Sequence, residues 1–216
     1  MSDALSRAIL AAADAVDSAR QELGRLDGAA GDGDHGMTMS IGARSVRRRL
    51  EAAPSGASSA ELLRLVARAV GDVGGAIGPI YSTALTAMAA EIDAASAAPE
   101  GAVGRLRRAA AAAEEAIVAL GHARPGDKTL VDALHPLVES LSGAEAASTE
   151  FGMAIEAAAE AAEAGAASTA DLIARIGRAS RLGERSRGLP DAGATSFAIL
   201  VRAMVDAHRR ALSGSG

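Results

Sequence analysis

Apolar residues recur along this chain at the three-to-four-residue spacing of helices, and no useful length of sequence alternates as a strand would. In residues 3–23 the apolar side chains fall near one face, and they are Leu5, Ile9, Ala12, Val16 and Leu23. Ser58 or Ser59 is placed to cap a helix that has Glu61 in its first turn and ends near Gly71. The other predicted helices cover residues 37–52, 79–95, 100–121, 127–141, 145–165, 169–178 and 194–212.

Glycine-rich segments separate these helices. The predicted loops are 24–36, 74–79, 121–126 and 179–194. The last of them is too long to be a simple connector, so we expect it to be functional. No linker divides the chain. The pattern therefore predicts one all-α domain over residues 1–216, of which 213–216 form a disordered tail.

Composition narrows the class of protein. The chain has 216 residues, 49% hydrophobic but only 1% aromatic, so its core must be built from Ala, Leu, Ile, Val and Met. A net charge of −5 argues against a broad nucleic-acid-binding face. The absence of cysteine excludes disulfides and thiolate chemistry. No apolar run reaches membrane-spanning length and the N-terminus resembles no signal peptide, so we expect a cytoplasmic protein without membrane contact.

The loop Leu26–Gly36 carries the strongest chemical signal. It places Asp27, Asp32 and Asp34 within eight residues, with glycines around them. Carboxylates this close repel one another and are stabilised by a cation, and their oxygens suit Mg²⁺ or Ca²⁺. The pattern is consistent with a metal-assisted phosphate site, with a solvated Asp-Gly turn, or with a calcium site, although its spacing does not fit an EF-hand.

The residues after this loop add an anion-binding element. Gly36, Met37 and Thr38 open a helix, and the free N–H groups of a helix start attract phosphate. His35 is a candidate for a phosphate contact or a proton transfer, and the alternative is a histidine held structurally by its neighbours.

The other loops are individually weaker signals. Residues 74–79 lead into a helix but lack the lysine of a Walker A loop. Residues 124–129 are consistent with an ordinary Pro-Gly turn in which Asp127 caps a helix. The final loop offers arginines that either clamp phosphates or form a charged surface, namely Arg178, Arg181, Arg185 and Arg187. Tyr81, the only tyrosine, is expected in the core or at its rim.

Taken together, the four loops resemble those of the L subunit of dihydroxyacetone kinase, a nucleotide-binding domain of the Dak2 type. The matching segments are LDxxxGDGDHG at 26–36, GGAxGP at 74–79, PGDKT at 125–129, GRASxLGERSxG at 177–188 and DxGAT at 191–195. The resemblance implies an eight-helix antiparallel up-and-down barrel with a nucleotide site formed by loops at one end.

The resemblance also implies the ligands and their residues. Asp27, Asp32 and Asp34 would hold two Mg²⁺ ions that bridge the phosphates of ATP or ADP. The positions that match the family's nucleotide contacts are His35, Gly36, Met37, Thr38, Ala76, Ile77, Gly121, Leu130, Arg178, Asp191, Ala192 and Gly193. Three of them depart from the family, which commonly has Asn at Thr38, Ser at Ile77 and Pro at Ala192.

The activity implied by the resemblance is phosphoryl transfer. The terminal phosphoryl group of free ATP, or of a bound nucleotide recharged by a phosphotransferase-system phosphocarrier, passes to a small ketose held covalently on a separate K subunit. No covalent phospho-residue is expected on this chain. The alternative is a nucleotide-responsive regulator or scaffold that binds Mg-nucleotide and a partner, such as a transcription regulator, without transferring phosphate.

Overall fold

The computed structural model describes residues 2–94 and 101–213. Within these ranges the chain forms nine α-helices, two 3₁₀ segments and no strand. The helices are α1 (Ser2–Ser18), α2 (Arg20–Ala30), α3 (His35–Glu51), α4 (Ser59–Gly71), α5 (Ile77–Ala94), α6 (Ala102–Gly121), α7 (Val131–Ala146), α8 (Phe151–Ser168) and α9 (Ala192–Ser213). The 3₁₀ segments cover Thr169–Asp171 and Arg178–Ser186.

The helices form a closed ring of eight rods, here called struts, each of which is one helix or two helices in line. α1 and α2 make one strut, because α-helical hydrogen bonding continues through Ala19: its N–H donates to Ala15 O (3.0 Å), and Leu23 N donates to Ala19 O (2.9 Å). From α3 onward each helix packs against the next one along the chain, and α9 returns to pack on α1. The expected all-α barrel is confirmed.

The up-and-down order brings every second connection to the same end of the barrel. The segments that follow α2, α4, α6 and α8 therefore share one end, and these four segments carry the sequence motifs. The connections after α3 and α7 lie at the opposite end. A fold this regular thus gathers four loops that are far apart in sequence.

Small residues allow the struts to approach closely around this end. Ala133, Ala166, Ala194 and Ala198 form one buried cluster that joins α7, α8 and α9. A Cβ added at Gly165 would overlap the backbone of α7. In the part of the chain that the structure describes, no helix is both long enough and apolar enough to cross a membrane.

Helix starts are well explained by local chemistry. Ser58 caps α4: its Oγ accepts the N–H of Glu61 (3.2 Å), and the Glu61 carboxylate accepts the N–H of Ser58 (2.7 Å). Pro79 lies in the first turn of α5, where its missing N–H costs no hydrogen bond. Both predictions are confirmed.

Several predicted boundaries are wrong. The helical strut does not end at residue 23 but continues to Ala30, so only 31–34 of the predicted 24–36 loop is non-helical. α7 begins at Val131 rather than at residue 127. The helix predicted over 169–178 is limited to one 3₁₀ turn, because the chain then extends from Leu172. Residues 95 and 100, at which two predicted helices end and begin, lie outside the described residues, as do residues 214–216 of the predicted tail. Ser213 belongs to α9 and not to a disordered tail.

Candidate functional site

Three carboxylates converge where α2 ends and α3 begins. Asp27 lies in the last turn of α2, Asp32 in the following turn, and Asp34 directly before α3. One oxygen of each carboxylate lies within 4.8 Å of an oxygen of the other two. Asp27 is half-buried while Asp32 and Asp34 are exposed, so the acidic turn formed by these three residues is open to a ligand from solvent.

Only one of the three carboxylates in the acidic turn serves as a helix cap. Asp34 occupies the N-cap position of α3, yet its side chain makes no capping hydrogen bond. Asp27 takes over that role, because its Oδ2 accepts the N–H of His35 at 3.1 Å. The carboxylate of Asp34 is thereby left to face the same space as Asp32.

Glycines bring the two helices together at the turn. A Cβ at Gly36 would overlap the carbonyl oxygen of Arg20 and lie 2.8 Å from the nitrogen of Gly24. Gly33 has φ +77°, a conformation that favours glycine. The spacing of glycines in this motif therefore serves the α2–α3 crossing as well as access to the carboxylates.

Arg178 reaches the acidic turn from the loop that precedes α9. Its guanidinium forms an ion pair with Asp32 and a second with Asp34, where Nη2 lies 3.2 Å from Oδ1. Within the described residues no other member of the predicted arginine set contacts the turn, and Arg187 instead pairs with Glu184 at 3.6 Å. One positive side chain is therefore already placed between two of the carboxylates.

His35 turns its ring away from the acidic turn. The residue is buried, and its Nε2 lies 3.0 Å from Ser196 Oγ. Ser196 Oγ also donates to Gly193 O (3.0 Å), so the ring of His35 is tied to the first turn of α9. Burial lowers the pKa of His35 and favours the neutral ring. This geometry favours the structural role for its side chain over proton transfer.

The start of α9 forms the opposite wall. Asp191 Oδ2 accepts the N–H of Ala194 at 2.8 Å, and burial raises the pKa of Asp191 to about 6. Ala192 is buried beside it. A Cβ at Gly193 would lie 3.8 Å from the nitrogen of Leu130, so the two loops are in contact there. His35 therefore links the acidic turn to Asp191, Ala192, Gly193 and Leu130.

The remaining predicted positions lie at the same end of the barrel. Gly36, Met37 and Thr38 are in the first turn of α3. The N–H groups of Gly36 and Met37 lack intrahelical acceptors, whereas Thr38 N donates to Asp34 O (2.9 Å). Ala76 and Ile77 begin α5, and Gly121 ends α6. No hydrogen bond or ion pair of the described residues joins these last three to the acidic turn.

The side chain of Ile77 belongs to the core. It packs on a buried cluster contributed by the first strut and α3, namely Ala13, Val16, Leu23, Met39 and Ala43. An apolar anchor therefore occupies the position where the family commonly has a serine. Tyr81 packs on the same cluster, as expected for a core or rim residue.

The position and contacts of Lys128 were not predicted from the sequence. It is almost completely buried, and its Nζ donates to three backbone carbonyls, those of Thr169 (2.6 Å), Leu172 (3.3 Å) and Leu189 (2.7 Å). The only signal in the sequence is the PGDKT segment itself. Because the acceptors are backbone carbonyls 41 to 61 residues from Lys128 in sequence, no pattern of side chains indicates them.

The predicted capping role of Asp127 is also wrong in detail. Its carboxylate accepts the N–H of Arg124 at 2.8 Å instead of capping α7. Asp132, inside α7, accepts the N–H of Gly126 (2.5 Å) and of Thr129 (2.7 Å). The 124–129 turn is thus held by two buried carboxylates, and Lys128 sits within it at φ +61°.

The donor set fits a hard divalent cation. Three carboxylates with oxygens within reach of one another are ligands that Mg²⁺ accepts, and the guanidinium of Arg178 shows that the turn accommodates positive charge. A helix start and an arginine flank the carboxylates, and both attract phosphate oxygens. The arrangement can therefore bind a cation and a polyanion side by side.

Known proteins with similar sequences agree with a site of this kind. A family profile for the DAK2 domain matches residues 29–206. D-erythrulose kinase of Mycolicibacterium smegmatis is 40% identical over 204 residues, which cover 94% of this chain and 35% of that protein. The ADP-binding subunit DhaL of the PEP-dependent dihydroxyacetone kinase of Escherichia coli is 36% identical over 177 residues, 82% of this chain and 83% of that subunit.

A solved structure agrees with the fold. The dihydroxyacetone kinase of C. freundii in complex with AMP-PNP and Mg²⁺ superposes with a TM-score of 0.69 at 26% sequence identity, over 93% of this chain and 33% of that one. This chain thus spans about a third of the length of the erythrulose kinase and of the C. freundii enzyme. On the extent of the profile match and the identity to DhaL, the chain belongs to the DAK2 domain family.

Proposed function

We propose that this chain is the nucleotide-binding, phosphoryl-transferring part of a kinase that acts on a small ketose. Its ligands are ATP or ADP with Mg²⁺, held by the acidic turn. The observation that carries the proposal is the convergence of Asp27, Asp32 and Asp34 beside the start of α3. The relatives support it, since one is named as an ADP-binding subunit and a structural neighbour holds AMP-PNP and Mg²⁺.

Asp27, Asp32 and Asp34 would hold the metal, with two ions shared among three carboxylates. Bound Mg²⁺ would neutralise the negative charge of the polyphosphate and of the phosphoryl group during its transfer. The chain's own contribution is position and charge. The N–H groups in the first turn of α3 would bind the polyphosphate, Arg178 would add a positively charged side chain, and Asp27 keeps α3 in register through His35 N.

The remaining nucleotide contacts are assigned to the other loops of the same end. Ala76 and Ile77 would contribute backbone N–H groups at the start of α5. Gly121, Leu130 and the segment Asp191–Gly193 would line the rest of the nucleotide. This assignment follows the topology, which brings all four connections to one end of the barrel.

The acceptor is assigned to a partner. We propose a ketose of the dihydroxyacetone or erythrulose class, because the relatives are named for these substrates. A K-type protein or domain would hold the sugar, and the donor is ATP, either free or regenerated on the chain by a phosphocarrier. This division agrees with the chain's length, which matches one third of the erythrulose kinase and most of the DhaL subunit.

The test begins with the metal loop. Asp32→Asn removes one negative charge from the acidic turn, and we expect titration calorimetry to show at least a tenfold loss of Mg-ADP affinity with unchanged circular dichroism. Asp93→Asn is the matched control, because Asp93 is also an exposed, arginine-paired carboxylate but lies late in α5, toward the opposite end. Equal nucleotide affinity in Asp32→Asn and the wild type would contradict the metal assignment.

The same experiment is completed by a transfer assay. The chain is mixed with Mg-ATP, a K-type protein, and dihydroxyacetone or erythrulose, and ketose phosphate is measured. We expect product only when both proteins are present, and a loss of product with Asp32→Asn. Tight Mg-nucleotide binding without transfer to either ketose would favour the regulator hypothesis instead.

A further inference from the structure

The buried ammonium group of Lys128 is hydrogen-bonded to both ends of the loop that carries Arg178. The 172–189 loop leaves α8 after the 3₁₀ turn Thr169–Asp171 and returns just before α9. Lys128 Nζ donates to the carbonyls of Thr169 and Leu172 on the outgoing side and of Leu189 on the returning side. Three acceptors for three ammonium protons is a fully satisfied arrangement.

Other hydrogen bonds close the base of the 172–189 loop at the same place. Gly188 N donates to Ala170 O at 2.8 Å, and Asp191 N donates to Thr169 Oγ1 at 2.8 Å. The ammonium lies between these contacts and is shielded from solvent. Its charge is balanced nearby, because Asp191, Asp132 and Asp171 favour the charged form while burial lowers the pKa of Lys128.

The far side of the loop is where Arg178 pairs with Asp32 and Asp34. Between the base and Arg178 the loop is also held by Ala174 N, which donates to Ser186 Oγ (2.9 Å), by Arg175 N, which donates to Asp127 O (3.1 Å), and by Ile176, which packs on the core. The position of Arg178 therefore depends on the base of the loop together with these contacts.

We propose that Lys128 is a positioning residue: by clamping the base of the 172–189 loop it places Arg178 against the bound polyphosphate and the Asp191–Gly193 segment against the rest of the nucleotide. It touches neither metal nor nucleotide. The proposal deepens the proposed function and rests on it for the identity of the ligand, whereas the clamping of the loop is testable without any ligand.

Because Lys128 acts on the loop and not on the acidic turn, its loss should separate two affinities. Lys128→Met keeps the aliphatic stem and removes the three donors. We expect at least a tenfold higher Kd for Mg-ADP by calorimetry, while the Kd for Mn²⁺ alone, measured by electron paramagnetic resonance, does not increase. Hydrogen exchange should accelerate at least tenfold within 172–189 and stay unchanged in α4 and α5.

Two further variants separate positioning from stability. Leu141→Ala removes buried volume from α7, the helix that follows the turn of Lys128, and should lower the unfolding temperature without changing the Kd for Mg-ADP. Lys128→Arg, which keeps donors and charge, should recover part of the lost nucleotide affinity. If Lys128→Met does not fold, Thr169→Val opens the same base by removing the acceptor of Asp191 N and should give the same pattern with a smaller change.

The proposal is overturned if exchange within 172–189 is unaltered in Lys128→Met, or if Mg-ADP affinity falls no more than it does in Leu141→Ala. Failure of the proposed function looks different. In that case the wild type itself shows no affinity for Mg-ADP, while the exchange experiment still reports whether Lys128 holds the loop.

Discussion

At the scale of single residues, Arg178 has two competing sets of partners. In the structure it pairs with Asp32 and Asp34, the carboxylates assigned to the metal. In the proposed complex it contacts phosphate. A cation that binds the acidic turn must therefore take these carboxylates from the guanidinium, which becomes available to the polyphosphate.

This competition predicts opposite effects for Arg178→Ala. Affinity for Mn²⁺ alone should rise roughly twofold to thirtyfold, because exposed ion pairs are worth about 0.2–1 kcal/mol each and two of them are removed. Affinity for Mg-ADP should fall by roughly tenfold or more, because a hydrogen bond to a charged group contributes about 1.5–3 kcal/mol. Calorimetry with each ligand measures both.

Arg181→Ala is the control, since Arg181 carries the same charge on the same 3₁₀ segment and is exposed. It changes the net charge equally but removes no contact to the acidic turn. If both variants shifted Mn²⁺ affinity alike, the effect of Arg178 would be long-range electrostatics and not competition for the carboxylates.

At the scale of helices, the crossing of α2 and α3 fixes the acidic turn. Gly36 lies so close to α2 that a Cβ would overlap the carbonyl oxygen of Arg20. We expect Gly36→Ala to lower the free energy of unfolding by about 1–3 kcal/mol, the usual cost of overpacking. Mg-ADP affinity should fall with it, because the two helices that carry the carboxylates are forced apart.

Gly143→Ala makes the same chemical change where nothing lies within 4 Å of the new Cβ, in the interior of α7. There we expect stabilisation of about 0.5–1 kcal/mol, because alanine restricts the unfolded chain and favours the helix. Urea denaturation compares the two variants. Destabilisation of similar size at both sites would mean that the Gly36 contact is not special.

The same crossing shows why one helix end could not be predicted. Gly24 and Gly28 were interpreted as the start of a loop, since glycine weakens helices. In the structure they lie inside α2 and face Gly33 and Gly36, so close packing of two backbones outweighs propensity. The cap of α4 was predictable because Ser58 and Glu61 are three residues apart and act locally.

The residues of the candidate site show the same difference between contacts that are local in sequence and contacts that are distant. The acidic turn was predictable because Asp27, Asp32 and Asp34 are close in sequence. The partner of His35 was not, since Ser196 is 161 residues away. Nor did the helix predicted over 169–178 form, because Lys128 draws the carbonyls of Thr169 and Leu172 toward its ammonium and the chain extends beyond them.

At the scale of the whole molecule, closure of the ring joins the site to global stability. α9 packs on α1, α7 and α8, and its first turn also forms part of the candidate site. Asp191 begins this helix, and burial raises the pKa of its carboxyl to about 6, against hydrogen bonding from Ala194 N and the charge of Lys128, which lower it. Folding therefore encloses a carboxylate that prefers to stay protonated.

The sign of the resulting pH dependence follows from proton binding. Between about pH 4 and pH 6 the folded chain retains a proton on Asp191 that the unfolded chain releases, so the contribution of this group to the free energy of unfolding falls as pH rises through that window. A shift of about two pKa units corresponds to at most about 3 kcal/mol. Above pH 6 the folded protein bears the full cost of the ionised carboxylate.

Asp191→Asn removes this cost while keeping an oxygen that accepts the N–H of Ala194. We therefore expect its free energy of unfolding, relative to the wild type, to increase from pH 4 to pH 7 by up to about 3 kcal/mol, measured by urea denaturation at each pH. Leu141→Ala, which adds no titrating group, should differ from the wild type by the same amount at every pH. A constant difference for Asp191→Asn would mean that the carboxylate ionises as readily in the folded barrel as in the unfolded chain, and that the start of α9 carries no electrostatic strain.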